Sequence, residues 1–426
     1  MPLLKNNWIT ALKGFVLGEA CLQLLNAVTG LLLVRWMSVE QYAQYALANA
    51  FQSGAQQFVE FGLGGALVAL VGKNIHDKRR MGRLVAAGTQ IRRRMVWIVG
   101  SLSAIAFPLW FASKGWPLAT GLLLAAAIVA YLAVSGLQTY YRPPLTIHRE
   151  MRTLYGITVV SAAVRLLAMG LAHLTHILGA PVAAFLNVAA LSITGSRLKK
   201  ASARHLEIPA EPVEAERREL LVYIRPIIPG VFFAALQGQL AVLVAGAFGQ
   251  TSTIAEVGAL ARLSLLLAFF SAANGVLVAP FIARQEARRL PAFYLAISSG
   301  AVALAALLFA AVWIAPGLFL AILGPNYSDA GPALSFMVAN TALGYLNGVL
   351  WSMNSARKWI FPWMPMVSIP GTLALQALGI WIFDVSTAAG VFQMLLLGSA
   401  YTLLNRLIVA ARGFALESPA RHESAP

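Results

Sequence analysis

Apolar windows of about 20 residues alternate along this chain with short polar segments. A helix of that length crosses the hydrocarbon core of a bilayer, which is about 30 Å thick. The pattern therefore predicts an all-α, polytopic membrane protein with about 12 transmembrane helices. The predicted windows are 13–35, 41–71, 94–113, 118–138, 154–175, 177–197, 224–248, 253–281, 292–315, 332–355, 363–383 and 387–410.

Composition supports the same class. The chain is 59% hydrophobic and 11% charged, with a mean hydropathy of +0.73, values outside the range usual for soluble proteins. The N-terminal apolar run continues past the length of a cleaved signal, so we expect a retained first helix. The single cysteine, Cys21, excludes an intrachain disulfide, and we expect it to be a small buried residue.

The net charge of +16 would suggest a nucleic-acid partner in a soluble domain. Here the charge follows topology, because 28 of the 32 lysines and arginines fall on alternate connections and on the two terminal segments. Cytoplasmic segments carry such an excess, which predicts that both termini are cytoplasmic. We therefore expect contact with anionic lipid headgroups and no nucleic-acid partner.

The longest charged segment divides the predicted helices into two sets of six. It contains Pro209 and Pro212, which is typical of a linker. The predicted organisation is a six-helix bundle at 1–197, a cytoplasmic linker at 198–223, a second bundle at 224–411 and a polar tail at 412–426. The openings SVEQYAQYALA and TIAEVGALARL of the second and eighth helices are weakly similar, which suggests a duplication.

Residues 42–60 combine an apolar composition with a polar stripe at helical spacing. The stripe covers an arc of about 100°, and the opposite face is apolar. Such side chains facing lipid would cost several kcal/mol, so the stripe predicts a cavity or contact with other polar helices. Its members are Tyr45, Asn49, Gln52, Ser53, Gln56 and Glu60.

Four further helices carry polar stripes, which favours a shared central cavity. The alternative is that amides and hydroxyls join helices, with small residues allowing close approach. The stripes comprise Glu19, Gln23, Asn26 and Gly30; Tyr131, Ser135, Gln138 and Arg142; Thr158, Ser161 and Arg165; and Asn340, Gly344, Asn347, Trp351 and Asn354.

Ionisable residues within the predicted spans are functional candidates, because a charge in a bilayer is expensive. These residues are Glu19, Glu60, Arg165 and Arg262. A structural ion pair, for example between Glu60 and Arg165, is the alternative for any of them.

No pattern indicates catalysis. His173 and His176 stand three residues apart near an outer membrane edge, but no carboxylate or cysteine accompanies them as in a metal site. A phosphate-binding glycine loop followed by Lys-Ser or Lys-Thr is not found in the sequence. We therefore expect neither an enzyme nor a resident cofactor or metal.

Three segments carry a resemblance to a known family. MSVEQYAQYALA at 37–48 is similar to the start of the second helix in Wzx-type polysaccharide flippases. TSTIAEVGALARL at 251–263 resembles the opening of their eighth helix, and LGPNYSDAGPALSFM at 323–337 resembles the turn before their tenth. The resemblance implies the multidrug/oligosaccharidyl-lipid/polysaccharide exporter superfamily, with two six-helix bundles around a central cavity that opens alternately to each side.

The resemblance also implies a substrate, an oligosaccharide repeat unit on undecaprenyl pyrophosphate, which crosses the bacterial inner membrane for O-antigen, capsule or exopolysaccharide synthesis. Glycan hydroxyls would meet amides and an aromatic face, the pyrophosphate would meet arginines, and carboxylates would bind H⁺ or Na⁺ as the coupling ion. A polysaccharide polymerase and export proteins are the implied partners. These roles are assigned to Asn49, Gln52, Gln56, Asn340, Asn347 and Trp351 for the glycan, to Arg165, Arg35 and Arg262 for the pyrophosphate, and to Glu19 and Glu60 for the ion.

Two other classes remain open. An ion-coupled drug or cation antiporter of the same superfamily would use Glu19 and Glu60 as its exchange site. A membrane glycan polymerase or ligase would need a sizeable outer loop for its catalytic residues, and the predicted outer connections are short.

Overall fold

The computed structural model describes residues 3–71, 77–208, 213–273 and 278–417. Regular structure in these ranges is helical, which confirms the predicted all-α class. The chain divides into two compact units, Met1–Leu243 (unit 1) and Val244–Pro426 (unit 2). Parts of the predicted span 253–281, of the linker 198–223 and of the tail 412–426 lie outside the described residues.

Unit 1 contains long helices joined by short connections. They are α1 (Leu3–Trp36), α2 (Val39–Glu60), α3 (Leu63–Val71), α4 (Lys78–Ser113), α5 (Leu118–Ile147), α6 (Met151–Leu174), α7 (Ala180–Ser202), α8 (Glu214–Ile224) and α9 (Ile228–Phe248), within which the division into units falls.

Unit 2 repeats the pattern of long helices and adds two short ones. Its helices are α10 (Thr251–Ala273), α11 (Ala279–Ala283), α12 (Leu290–Ile314), α13 (Pro316–Leu323), α14 (Gly331–Ala356), α15 (Trp363–Ile382) and α16 (Ala388–Glu417).

Among the described residues, 11 helical segments are long and apolar enough to cross a membrane, which confirms a polytopic membrane protein. The predicted span 253–281 is not among them, and it overlaps α10 and residues outside the description. Cys21 is exposed, so the expectation that it is buried is wrong. An apolar environment does not require burial in a membrane helix, because lipid is itself an apolar neighbour.

The predicted single helix 41–71 is broken after Glu60. Phe61 and Gly62 have φ angles of 24° and 88°, and the Phe61 N–H bonds to the Gln57 carbonyl at 2.8 Å. A positive φ at Gly62 is accessible because glycine has no Cβ. The break places the Glu60 carboxylate at the end of α2, where the helix is interrupted.

The region before the predicted span 94–113 is helical as well. Helix α4 begins at Lys78 after Asp77, whose carboxylate accepts the Arg80 N–H at 2.9 Å and caps the helix. Helix α8, inside the predicted linker, packs on this extension through Arg83 and Glu216, with Nε–Oε1 at 2.5 Å. The charged residues of 198–223 predicted a linker. The structure forms α8 in this segment, and opposite charges on α4 and α8 stabilise the contact between the two helices.

The buried core of unit 1 lies where α3, α4, α5 and α8 meet. Leu67, Leu84, Tyr140 and Leu220 are each 2% exposed or less. In unit 2, a separate core joins α12, α14 and α16 around Tyr294, Met353, Trp359 and Val409. Each unit therefore has the apolar contacts of an independent bundle.

Helices α5 and α14 end in the same way, as does α6, where His176 has a φ of 58° and the Ile177 N–H bonds to the Ala172 carbonyl at 3.0 Å. Arg149 and Lys358 have φ angles of 60° and 59°, one residue after each helix cap. The following N–H groups, of Glu150 and Trp359, bond to carbonyls five residues back at 2.8 Å and 2.9 Å. This is the bonding pattern of a Schellman motif, with a basic residue where glycine is usual.

A charged contact then ties the ends of α5 and α14, each to the last long helix of its predicted half. Glu150 binds Arg204 and His205 just after α7, with His205 Nε2 at 2.8 Å from Oε1. Arg357 binds Glu417 at the end of α16, with Nε–Oε1 at 3.1 Å and Nη2–Oε2 at 2.5 Å. The carboxylate lies after α5 in unit 1 and at the end of α16 in unit 2, so the order of the charges is reversed.

Candidate substrate-binding residues in the membrane helices

Glu19 is the carboxylate of α1, and three side chains surround it. Gln23 Nε2 and the Tyr155 hydroxyl donate to it at 2.8 Å and 2.9 Å. Arg142 Nη2 lies 3.7 Å from Oε2, which makes an ion pair. The predicted ion-coupling residue is thus neutralised by an arginine of α5, so cation binding at Glu19 would require displacement of Arg142.

Sequence reasoning placed Arg142 in a stripe but did not connect it with Glu19. Arg142 lies on α5, Tyr155 on α6 and Glu19 on α1, so 123 or more residues separate Glu19 from both partners. No local pattern reports such a distant contact. The charge of Arg142 inside a polar stripe was the only signal available.

The polar stripe of α2 borders a small cavity, about 10 Å³ in volume, against α5 and α7. This space holds about one water molecule. Asn187 Nδ2 donates to the Tyr45 hydroxyl at 2.9 Å across the gap between α7 and α2. The cavity lining comprises Tyr45, Ala48, Asn49, Gln52, Leu124, Ile128, Ala184 and Asn187.

Two predicted glycan residues, Asn49 and Gln52, therefore share this cavity. Gln52 is 8% exposed and Asn49 is half-buried. A cavity of this size does not admit a sugar ring in this conformation. Glycan contact by Asn49 and Gln52 stays a prediction.

Glu60 accepts hydrogen bonds from two neutral groups. Gln56 Nε2, one turn earlier on α2, donates at 3.0 Å, and the Thr139 hydroxyl of α5 donates at 2.7 Å. Gln56, predicted to contact glycan, and Glu60, predicted to couple an ion, thus form one hydrogen-bonded unit. Both hydrogen-bond donors are neutral, and the Arg92 guanidinium of α4 also interacts electrostatically with this carboxylate.

Arg92 is a buried arginine that sequence reasoning assigned to a cytoplasmic segment. It is 5% exposed inside unit 1, and its guanidinium donates to the Ser135 hydroxyl at 2.7 Å and to the Leu132 carbonyl of α5. Gly136 makes room for it, since a Cβ there would lie 2.6 Å from Arg92 Nη1. Because Arg92 belongs to a run of three arginines, Arg92 to Arg94, the sequence did not show which of the three is buried.

The predicted pyrophosphate residues lie on three different helices. Arg165, half-buried on α6, donates from Nη2 to Asn26 Oδ1 of α1 at 2.7 Å. Arg35 is exposed in the last turn of α1, and Arg262 is half-buried on α10 in unit 2. The contact with Asn26 joins two of the predicted polar stripes and orients the Arg165 guanidinium.

The asparagine stripe of α14 contacts α16. Ser399 donates to Asn340 Oδ1 at 2.7 Å, and Asn347 Nδ2 donates to the Ser399 carbonyl at 3.0 Å. Asn354 Nδ2 donates to the Arg406 carbonyl at 3.1 Å and accepts from the Tyr294 hydroxyl at 2.8 Å. These contacts are those of amides that join helices, the alternative raised for such stripes.

The same face of α14 also carries a polar atom that takes no part in these contacts. Asn347 Oδ1 is buried and has no hydrogen-bond partner among the described residues. Trp351, 41% exposed, has the Arg406 guanidinium 4.2 Å from its ring centroid. At Gly344 an added Cβ would meet no described atom within 4 Å, so this glycine does not mark a close approach of helices.

The described residues contain no cluster of histidine, cysteine and carboxylate side chains that could hold a metal ion. His173 stacks on Trp36 with ring centroids 4.8 Å apart, a packing role at the end of α6. His176 follows in a left-handed conformation with a φ of 58°.

Outside the spans, the contact between α4 and α8 predicts an acid-sensitive attachment. The hydrogen bond from Arg83 lowers the pKa of Glu216 below its usual 4.5, although burial opposes this. A carboxyl whose pKa falls on folding adds stability above its unfolded pKa and loses it as the pH falls through the folded value. We expect the protection factors of the α8 amides, which are corrected for the intrinsic exchange rate at each pH, to fall below about pH 4.5. Glu216→Gln should lower them at neutral pH and reduce their acid dependence, while the pair of Arg80 with Glu219 remains.

Glu214→Gln is the matched control, because that side chain is 69% exposed and its partner among the described residues, Arg217, lies on its own helix. It should leave the protection factors unchanged at neutral pH and in acid. An acid response in Glu216→Gln as large as in the unaltered chain would contradict the assignment.

Comparison with known proteins places this geometry in a structural class. No protein-family model matches the chain, and no curated protein is similar to it in sequence. Solved structures do match over nearly its whole length. An inward-facing multidrug resistance MATE family transporter of the MOP superfamily has a TM-score of 0.68 at 15% identity, covering 95% of this chain and 96% of its own.

Two further structures are similarly close. The lipid II flippase MurJ in an inward closed conformation has a TM-score of 0.67 at 12% identity, covering 95% of this chain and 89% of its own. A eukaryotic MATE transporter has a TM-score of 0.64 at 12% identity, covering 96% and 99%. Identities this low establish shared architecture only, so the chain has the fold common to MATE transporters and the MurJ lipid II flippase.

Proposed function

We propose that this protein is a flippase for lipid-linked oligosaccharides. Repeat units on undecaprenyl pyrophosphate would cross the bacterial inner membrane by alternating access, as the Wzx-type resemblance implies. The protein would supply units to a polysaccharide polymerase and export proteins, without catalysing a reaction itself. The fold shared with a structure described as a lipid II flippase supports the proposal.

The observation that carries this proposal is the chemistry of the polar groups inside the helices of unit 1. Asn26, Asn49, Gln52 and Asn187 are neutral amides, and Glu19 is paired with Arg142. Amides suit glycan hydroxyls, and arginine suits a pyrophosphate because its planar donors match phosphate oxygens. A lipophilic cation would instead require an available carboxylate, and Glu19 is occupied by Arg142 in this conformation.

Within this proposal, Arg165 binds the pyrophosphate, with Arg35 and Arg262 as further contacts. The amides of α2 and α14 and the ring of Trp351 contact the glycan. Glu19 and Glu60 take part in coupling to H⁺ or Na⁺.

One observation favours a second candidate, an ion-coupled drug or cation antiporter. Glu60 is hydrogen-bonded by the neutral donors Gln56 and Thr139, which leaves a carboxylate charge that could bind a cation. The fold is equally that of multidrug MATE transporters.

Reconstitution in liposomes separates the two. The purified protein is inserted into vesicles that contain a fluorescent polyprenyl-pyrophosphate oligosaccharide, and a membrane-impermeant lectin or quencher reports the outer-leaflet fraction. We expect faster exchange between leaflets than in protein-free vesicles, and a rate that changes when a proton or sodium gradient is imposed. Accumulation of a lipophilic fluorescent cation under the same gradients, with no glycolipid exchange, would establish the antiporter instead.

A further inference from the structure

Two arginines and three aromatic side chains form a cluster in unit 2 that the proposed transport does not use in full. Trp351 comes from α14, Phe361 from the connection before α15, Trp363 from the first position of α15, and Arg406 and Arg412 from α16. We call these five residues the interfacial basic cluster.

Arg406 lies against apolar and aromatic groups. Its guanidinium is 4.2 Å from the Trp351 ring centroid, and Nη1 is 3.6 Å from Met364 Sδ. Its Nε is buried and has no hydrogen-bond partner among the described residues. A guanidinium has five N–H donors, and the contacts described here provide no oxygen acceptor for them.

Arg412, one and a half turns further along α16, repeats the arrangement. Its guanidinium lies 5.3 Å from the Phe361 ring and 5.8 Å from the Trp363 ring, and the two rings stack with centroids 6.0 Å apart. Trp363 Nε1 is buried without a hydrogen-bond partner in the described part of the chain. Trp363 and Met364 are consecutive residues of α15, so the two arginines of α16 contact neighbouring side chains at the start of that helix.

Helix lengths place this surface at one edge of the bilayer. Trp351 is about 30 Å along α14 from its start, Arg406 is about 27 Å along α16, and Trp363 is about 28 Å from the far end of α15. A hydrocarbon core of about 30 Å puts all three near the same boundary. The bias of lysine and arginine assigns that boundary to the cytoplasmic leaflet.

Aromatic residues alone would be an ordinary interfacial belt, which anchors a helix without selecting a lipid charge. The two guanidinium groups are different, since among the described residues neither has a carboxylate partner. Rings on one side stack on the planar guanidinium and hold it in place, while its remaining donors can bind an anion. Phospholipid phosphates are the anions present at this depth.

We propose that the interfacial basic cluster binds the phosphate headgroup of an anionic phospholipid in the cytoplasmic leaflet. Arg406 and Arg412 contact the phosphate oxygens, and the aromatic rings of the cluster hold the two guanidinium groups in place. The site belongs to unit 2 alone and does not depend on which substrate the protein transports.

Lipid-dependent thermal stability of the full chain in detergent tests the proposal. Phosphatidylglycerol should raise the unfolding midpoint by about 3 °C or more beyond phosphatidylcholine at equal concentration. The double variant Arg406→Gln/Arg412→Gln should lose at least half of that difference. Arg288→Gln/Arg289→Gln is the matched control, because it removes two exposed arginines of the same unit, and it should keep the difference.

Two further variants separate binding from folding. Arg406→Lys/Arg412→Lys retains the charges and should recover part of the phosphatidylglycerol effect, whereas Trp363→Phe keeps the ring and should reduce the effect without lowering the midpoint in phosphatidylcholine. The proposal is overturned if the glutamine double variant responds to phosphatidylglycerol as the unaltered chain does. It is also overturned if inorganic phosphate alone, or undecaprenyl phosphate far more strongly than phosphatidylglycerol, produces the shift.

Discussion

Arg165→Gln is expected to reduce lipid-linked oligosaccharide transport by about tenfold or more while the protein still inserts into the membrane. Hydrogen bonds to charged groups contribute about 1.5–3 kcal/mol, and 1.4 kcal/mol is a factor of ten. Asn26 holds the Arg165 guanidinium through a 2.7 Å bond between α6 and α1, so its orientation does not depend on substrate. Glutamine keeps a polar side chain but removes the charge and the paired donors that a pyrophosphate requires.

Three variants make the Arg165 result specific. Arg165→Lys should retain part of the activity, because it keeps the charge but not the bidentate geometry. Asn26→Ala should lower activity less than Arg165→Gln, since it only loosens the guanidinium. Arg94→Gln removes an exposed arginine of α4 and should have no effect. Transport at the unaltered rate in Arg165→Gln would exclude Arg165 from the pyrophosphate site.

Gly390→Ala is expected to destabilise unit 2 by about 3 kcal/mol, at the upper end of the usual cost of overpacking. Gly390 lies in the first turn of α16, and an added Cβ would be 1.9 Å from the Asp384 carbonyl oxygen. That atom belongs to the backbone of a tight turn, in which Asp384 accepts hydrogen bonds from Ser386 and Thr387. The turn cannot yield as a flexible side chain would.

Gly300→Ala is the control for this effect. Gly300 lies within α12 of the same unit, and no described atom is within 4 Å of an added Cβ. Alanine favours helix over glycine by about 1 kcal/mol, so this variant should unfold at the same temperature or higher. The comparison is made by thermal unfolding in detergent, and an equal midpoint for the two variants would show that the turn tolerates the methyl group.

The transmembrane helices were predictable because their signal is local and strong. A span needs about 20 consecutive, predominantly apolar residues, and segments such as 118–138 and 292–315 contain no charged residue. The predicted polar stripes lie as expected on α1, α2, α5, α6 and α14. Helical periodicity is a property of the sequence alone, so it was available without any contact.

The break after Glu60 was harder to predict, since Gly62 is one of three glycines in five residues of an apolar run. Only the backbone shows that Gly62 has a left-handed φ. The extension of α4 and the presence of α8 were also missed. A charged segment outside a bilayer has a composition like that of a loop. Its helical structure is stabilised by contact with a helix of opposite charge, which the sequence of the segment does not show.

The side-chain types of the candidate site residues were predictable from the sequence, but the residues that they contact were not. Glu19 and Arg165 stood out as charges within apolar segments, but their contacts with Arg142 and Asn26 join residues far apart in the chain. Asn340 and Asn347 could have faced substrate or another helix, and their contacts with Ser399 favour the helix. Arg92 was not a candidate, because it stands in a run of three arginines, and only the tertiary structure shows that it is buried while Arg93 and Arg94 are exposed.

By itself, the sequence determined that this chain is a polytopic helical membrane protein, which faces of its helices are polar and where its rare charges lie. These properties follow from hydropathy and from a period of 3.6 residues, both of which are local. Tertiary structure decided which carboxylate is neutralised, which arginine is buried and which amides join helices. Those outcomes depend on distances between helices remote in sequence, and the free energy of a charge in a membrane is set by the groups that surround it.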